Sequence, residues 1–229
     1  MAYLAPIDTI AIGVWICLVA VQLGIFLLLF SKYLKSSEKN NIKLAISLTF
    51  IFLAIGGSCF IFFDYYFTQL EPSLYETHQL IFKIATVFQL SGFGFLFLVS
   101  EHRVFKGKDY FIFFWGFLGL LVAAMVVSDF VLTETLINLA FIFAVFIPIS
   151  YIYLAIKLPG AARNNILLIL FGIIIFTVGM VLNLLDVIVA IELLTGSAVV
   201  IHYLYLISPI LQIGGLITAA KGFNQLYFQ

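Results

Sequence analysis

Long apolar runs are the feature that most limits what this chain can fold into. Of its 229 residues, 64% are hydrophobic and only 10% are charged, whereas a soluble domain is roughly half apolar and about a quarter charged. A helix needs about 20 apolar residues to cross the hydrocarbon core of a bilayer. Seven runs meet this length, at about 7–31, 42–67, 74–100, 109–129, 133–157, 163–190 and 198–220. The sequence therefore predicts an all-α integral membrane protein, a bundle of seven transmembrane helices in a lipid bilayer.

An internal repeat groups these seven segments. The landmarks shared by the two halves are a paired asparagine, a glycine followed seven residues later by an aspartate, an early histidine, and a glutamine with a glycine three positions on. In chain order they are Asn40, Gly57, Asp64, His78 and Gln89 in the first half, and Asn164, Gly179, Asp186, His202 and Gln212 in the second. Equivalent landmarks lie 122–124 residues apart, which predicts a pseudo-symmetric bundle with its site at the repeat interface.

The repeat also predicts the domain organisation. We expect a single domain over residues 1–223, made of two parallel three-helix repeats, helices 1–3 and 5–7, joined by connector helix 4. The predicted boundaries are about 7–103 for repeat one, about 109–129 for the connector and about 133–221 for repeat two. Residues 224–229 resemble the remnant of a protease site used in expression tags, although Asn224 stands where such a site usually has Glu. We leave these residues out of the functional reasoning.

The distribution of charge predicts the orientation. Ten of the eleven lysines and arginines fall in or beside loops on one predicted side, and acidic residues dominate the other. By the positive-inside rule, the N-terminus lies outside and the C-terminus in the cytoplasm, in the plasma membrane. The net charge of zero gives no reason to expect a nucleic-acid partner.

The predicted plan resembles the three-plus-one-plus-three membrane families, which include the microbial rhodopsins and the SWEET-type sugar facilitators. The resemblance covers all seven helices but rests on topology and the repeat, without a family motif, so no functional residue is carried over. A retinal protein needs a Schiff-base lysine in the middle of helix 7, where this chain has Ser208-Pro209-Ile210. We therefore do not expect retinal as a cofactor.

Polar side chains in the outer half of the bundle form the candidate ligand site. Each ionisable group at the centre of a membrane helix costs about 2.5–3.5 kcal/mol on insertion scales, so such groups usually face the bundle interior. The predicted ligand-binding residues are Asp64, His78, Lys83, Gln89, Asn183, Asp186, His202 and Gln212. Together they predict a polar cavity that opens to the outside, between the two repeats.

Several roles stay open for these residues. Lys83 either neutralises Glu76, Asp64 or Asp186, or binds an anionic group of a ligand. If the site holds a metal ion, its ligands are Asp64, His78, Asp186 and His202, because imidazole and carboxylate suit Zn, Mn or Fe. The two histidines could also hold a haem from opposite sides. The chain lacks the paired HxxxH spacing that is common in metal sites on one helix.

The favoured function is a small-solute transporter, in which the repeats rock about a small-molecule site. The alternative is a ligand-sensing receptor that acts through a cytoplasmic signalling partner, and a lesser alternative is a metal- or haem-binding membrane protein. No GxSxG, HExxH or paired Cys/His pattern is present, so we do not expect an enzyme.

Overall fold

The computed structural model describes residues 6–37, 40–105, 111–196 and 199–228, with all of their side chains except those at 72, 185 and 186. Nine α-helices make up most of this described part. They are α1 (Pro6–Lys35), α2 (Asn41–Ile61), α3 (Gln79–Val104), α4 (Ile112–Val126), α5 (Phe130–Ala144), α6 (Phe146–Lys157), α7 (Gly160–Val181), α8 (Leu185–Thr195) and α9 (Val200–Tyr227). The all-α prediction is confirmed.

Six helical stretches in the described residues are long and apolar enough to cross a membrane. They are Pro6–Lys35, Asn41–Phe67, Gln79–Val104, Phe130–Lys157, Gly160–Val181 and Val200–Tyr227. Many large apolar side chains on their outer faces are exposed, such as Leu27 and Ile142, which is what a lipid-facing surface requires. The chain therefore has the helices of a multi-pass membrane protein.

The helices pack in chain order, and the last one closes against the first. Helix α1 lies between α2 and α9, α2 packs on α3, and α7 packs on α9. Two side-chain contacts tie α1 to α9, one at each end: Asp8 with His202, and Lys32 Nζ donating to Asn224 at 2.7 Å. Helices α1 and α9 therefore run in the same direction.

Helix α4 is shorter, with 15 residues, and charged side chains of α3 satisfy both of its ends. At its start, the buried Glu101 carboxylate accepts hydrogen bonds from the backbone N–H groups of Phe113 (2.6 Å) and Phe114 (3.3 Å). At its end, Lys83 Nζ donates to the carbonyl of Val127. Helix ends carry unsatisfied backbone groups, positive at the start and negative at the end. The negative Glu101 therefore lies at the positive start of α4, and the positive Lys83 lies at its negative end. Each side chain also hydrogen-bonds to a backbone group there.

Two helix crossings bring backbones unusually close, and each depends on glycine. A Cβ added to Gly56 of α2 would lie 2.5 Å from the backbone nitrogen of Gln89 in α3, and one on Gly179 of α7 would lie 2.8 Å from Cγ of Gln212 in α9. Farther along the second crossing, a Cβ on Gly215 would overlap the backbone of Phe176. Small residues allow such close approach in membrane bundles, where packing and hydrogen bonds drive helix association.

The helices have three irregularities. Each lies in the half of the bundle that contains the start of α1, or at the border of that half. Helix α2 continues as a π-helical turn, Phe62–Phe67. One predicted span is split into α5 and α6 at Val145, just before Pro148, which has no N–H to donate. The prediction of one continuous helix over 163–190 is wrong, because α7 ends at Val181 and α8 begins at Leu185.

The end of the chain packs against the bundle. Residues 224–227 continue α9, and Tyr227 is buried, with the Arg103 guanidinium 4.8 Å above its ring. Asn224 also accepts the hydrogen bond from Lys32. The origin of residues 224–229 as a tag remnant stays a prediction, but those up to Tyr227 contribute contacts to this end of the fold.

The glycine crossings generate a stability prediction. Gly215→Ala should lower the free energy of unfolding by about 1–3 kcal/mol, because the added methyl group overlaps backbone atoms of α7 and forces the helices apart. Thermal unfolding of the detergent-solubilised protein measures the change. Gly214→Ala is the matched control, since a Cβ there meets nothing within 4 Å. Equal stability of the two variants would contradict the close crossing.

Candidate functional site: an acidic, aromatic cavity

One cavity lies among helices α1, α2, α3, α5, α7, α8 and α9, in the half of the bundle that contains the start of α1. It encloses about 860 Å³ of empty space, its opening included. Its polar or ionisable lining residues are Asp64, Tyr75, Thr86, Gln89, Glu134, Asn138, Asn183, Tyr205 and Gln212. The other lining residues are Trp15, Phe60, Phe63, Phe82, Leu90, Phe130, Ile137, Phe141, Met180, Leu184 and Ile188. Mostly apolar walls with a few polar groups are typical of a small-molecule pocket.

Asp64 reaches the cavity from the π-helical turn. Its side chain is 6% exposed, and it hydrogen-bonds to the Tyr205 side chain. The hydroxyl oxygens of Tyr205 and Tyr75 lie 3.5 Å apart, and Trp15 Nε1 donates to the Tyr205 carbonyl at 3.0 Å. Isolated π-helical turns within α-helices frequently occur at functional sites. A carboxylate, two phenols and an indole are therefore joined along one wall.

Tyr75 is the titratable member of this wall that lies outside the membrane-spanning helices, in the turn before α3. Burial, helped by the nearby Asp64 carboxylate, raises the pKa of its phenol well above the ordinary value. The phenol therefore stays protonated at neutral pH.

A hydrogen-bond chain fixes the orientation of Gln212. The Ser208 hydroxyl donates to the carbonyl of Gly179 at 2.8 Å, so its oxygen is left to accept from Gln212 Nε2 at 3.0 Å. With the amide nitrogen used in this way, Gln212 Oε1 is buried and has no hydrogen-bond partner among the described residues. Buried polar atoms without a partner are rare in proteins. The cavity wall therefore offers an acceptor that a ligand or water can satisfy.

The α5 side of the cavity was missed in the sequence. Glu134 and Asn138 lie four residues apart on α5, so both face the cavity together with Phe130 and Phe141. Two polar residues four positions apart within an apolar segment indicate a polar stripe on one face of the helix, so the sequence does carry a signal for this wall. The repeat does not point to them, because neither has a carboxyl or amide counterpart at the equivalent position of the first repeat.

Four of the eight residues predicted for the ligand site line the cavity: Asp64, Gln89, Asn183 and Gln212. Asn183 sits in the break between α7 and α8, and its Oδ1, like that of Gln212, has no partner among the described residues. Their part in ligand binding remains a prediction. The structure brings these four together from four separate elements.

The other predicted residues are placed elsewhere. His202 Nδ1 lies 2.6 Å from the Asp8 carboxylate, and Lys83 donates to the end of α4. The ring of His78 is tilted against that of Phe67, with the two ring centroids 5.4 Å apart. None of these three lines the cavity. The side chain of Asp186 lies outside the described part of the structure.

The predicted metal ligands are therefore not brought together in the described part of the chain. No group of three or more His, Cys, Asp or Glu residues there could hold a metal ion. The two histidines have different neighbours, Asp8 for one and Phe67 for the other.

Comparison with known proteins adds no assignment. No family model, curated protein or solved structure matches this chain. The function must therefore be argued from the cavity.

Ser208 supplies the prediction for this site. Ser208→Ala should destabilise the protein by about 1–3 kcal/mol, because the Gln212 amide and the Gly179 carbonyl both lose a partner in a buried place. Thermal unfolding in detergent measures the loss. Ser31→Ala is the control, because that exposed hydroxyl bonds only within its own helix, and it should change stability by less than about 0.5 kcal/mol. Similar values for both variants would mean that the Ser208 chain does not stabilise the site.

Proposed function

We propose that this protein is a small-solute transporter whose binding site is the acidic, aromatic cavity. The observation that carries the proposal is the cavity itself, in which acceptors on Asn183 and Gln212 have no partner among the described residues. A buried acceptor costs free energy unless something binds it. A solute with hydrogen-bond donors would remove that cost, so the cavity is suited to hold one.

The proposal is supported by a repeated pattern in the lining. Four pairs of lining residues are each 123 residues apart: Trp15 with Asn138, Phe60 with Asn183, Phe82 with Tyr205, and Gln89 with Gln212. The glycines at the two close crossings, Gly56 and Gly179, have the same separation. This constant offset supports two parallel repeats that each contribute the same wall positions. Transporters commonly place their site at such a repeat interface.

Seven crossings of the membrane belong to the proposal. Helix α4 runs beside α3 between Glu101 and Lys83, and its own 15 residues extend about 22 Å at 1.5 Å per residue. The parallel ends of α1 and α9 also favour an odd number of crossings. Apart from Lys83, the described lysines and arginines lie at the end of the bundle opposite the cavity, which favours an outside N-terminus and an outward-facing cavity.

The interrupted helices favour movement about the cavity. The α5–α6 junction, the α7–α8 break and the π-helical turn provide points at which helix halves can change angle. Two of them, the π-helical turn and the α7–α8 break, contribute lining residues directly. Alternating access requires that one part of a bundle rocks against another around the bound solute.

A ligand-sensing receptor is the second candidate, and one observation favours it. Beyond the cavity, α7 and α9 pack tightly, because Gly172 and Gly215 sit against the α9 and α7 backbones. A protein that only detects an outside ligand needs no path past this tight contact. It would pass helix movement to a cytoplasmic partner instead.

Cysteine accessibility distinguishes the two functions without knowledge of the solute. Cys17 and Cys59, which are free, are replaced by alanine, and Asn138→Cys is introduced in the cavity. Right-side-out and inside-out vesicles are then treated with membrane-impermeant cationic and anionic methanethiosulfonates. A transporter should be modified from both sides, because alternating access exposes the site to each in turn.

Three control positions calibrate the assay and test the orientation. Thr77→Cys is exposed at the cavity end and Lys157→Cys at the basic end, so each should react from one side only. Ile142→Cys faces outward from α5, 65% exposed, and should resist both reagents because lipid covers it. Modification of Asn138→Cys from the outside alone would reject transport and leave the receptor. Modification from neither side would reject a water-accessible cavity.

A further inference from the structure

The charge of the cavity is one-sided. Its lining includes two carboxylates, Asp64 and Glu134, and none of its described lining residues is Lys, Arg or His. Asp64 is buried, and an ionised carboxylate at membrane depth is costly unless a proton or another cation compensates its charge. The cavity therefore favours a positively charged occupant.

The nearby basic side chains are directed to other partners. Lys83 donates to the carbonyl at the end of α4, where the helix dipole favours a cation. His202 is paired with Asp8 at 2.6 Å. These contacts keep the two basic groups out of the lining, so neither of them supplies a positive charge beside Asp64.

Three lining residues carry a buried polar atom without a hydrogen-bond partner among the described residues: the amide oxygens of Asn183 and Gln212, and the Thr86 hydroxyl, which can donate or accept. Because Ser208 holds Gln212 Nε2, the atom that remains is Oε1, and Asn183 likewise retains an unpartnered Oδ1. Carboxylates also only accept when ionised. A ligand that satisfies the two amide oxygens must bring hydrogen-bond donors, which a protonated amine has and a quaternary ammonium ion lacks.

The remaining walls suit an apolar body. Trp15, Phe82 and Phe141 are among the aromatic side chains that line the cavity. Aromatic faces attract a cation that lies within about 6 Å of the ring centroid, and the attraction grows as the cation is desolvated. They also bury the hydrocarbon part of an amine, so the same walls favour both of its ends.

From these observations we propose that the cavity binds a protonated organic amine with an apolar or aromatic substituent. The ammonium group lies between Asp64, Glu134 and the free acceptors of Asn183 and Gln212, and the substituent lies against the aromatic walls. This inference names the solute class for the transporter proposed above and rests on that function for its biological role.

Tryptophan fluorescence tests the inference directly. The chain has two tryptophans: Trp15 lines the cavity, and Trp115 is 61% exposed on α4. In Trp115→Phe, Trp15 is the only indole and reports occupancy. Three soluble probes of similar shape are titrated: phenethylammonium, neutral 2-phenylethanol and anionic phenylacetate. Phenethylammonium should change the Trp15 fluorescence saturably, with a half-maximal concentration at least about tenfold lower than that of either other probe. A tenfold difference in affinity is equivalent to about 1.4 kcal/mol.

Two carboxylate variants and a control complete the test. Asp64→Asn and Glu134→Gln should each weaken phenethylammonium binding by about tenfold or more, with thermal unfolding used to verify that the variants are folded. Glu192→Gln, an exposed acid on α8, should leave binding unchanged. If Asp64→Asn does not fold, Glu134→Gln and the comparison of probes still test the inference.

The outcomes separate this inference from the proposed function. Equal or tighter binding of phenylethanol or phenylacetate would overturn the amine class, as would unchanged affinity in both carboxylate variants. Amine binding with one-sided cysteine accessibility would keep the amine class and reject transport. Two-sided accessibility without amine binding would keep transport and reject the amine class.

Discussion

The close contact of α2 with α3, and of α7 with α9, is the constraint on which the rest of the bundle depends. Glycine removes the side chain where the backbones meet, at Gly56 and at Gly179 and Gly215, so each pair packs as one unit. Gln89 and Gln212 lie at these crossings, which fix the depth of both, and the hydrogen bond to Ser208 fixes the direction of Gln212. A ligand group that meets them meets a rigid surface, which lowers the entropy lost on binding.

Much of the fold could be predicted from the sequence, because apolar length and backbone hydrogen bonding leave few alternatives in lipid. The prediction of continuous spans was least accurate where helices break. The π-helical turn at Phe62–Phe67 and the gap between α7 and α8 have no Pro or Gly to mark them. The sequence also matched Gly57 with Gly179, but it is Gly56 that meets Gln89. The aspartate therefore lies one residue farther from the crossing glycine in the first half than in the second. A π-helical turn can accommodate such an extra residue in a helix.

The candidate site was predictable only in part, because repetition was used as the guide. It identified Gln89, Gln212, Asp64 and Asn183, which line the cavity. It also selected His78, His202 and Lys83. Their neighbours in the structure are Phe67, Asp8 and Val127 in turn, which lie on other segments of the chain. The helical phase of one segment cannot predict contacts with another. Glu134 and the aromatic residues were missed, since tertiary packing decides which aromatic residues meet one cavity and which meet lipid.

The charged side chains that α3 offers to α4 have a consequence for how this protein is made. Glu101 and Lys83 are costly within a bilayer when α3 is alone, and α4 offers the N–H groups and the carbonyl that compensate them. Helix α4 itself is apolar along its whole length and has little to fix its depth without those partners. The two segments should therefore leave the translocation machinery as a hairpin, and a nascent chain that stops before residue 127 would leave α3 poorly retained in the membrane.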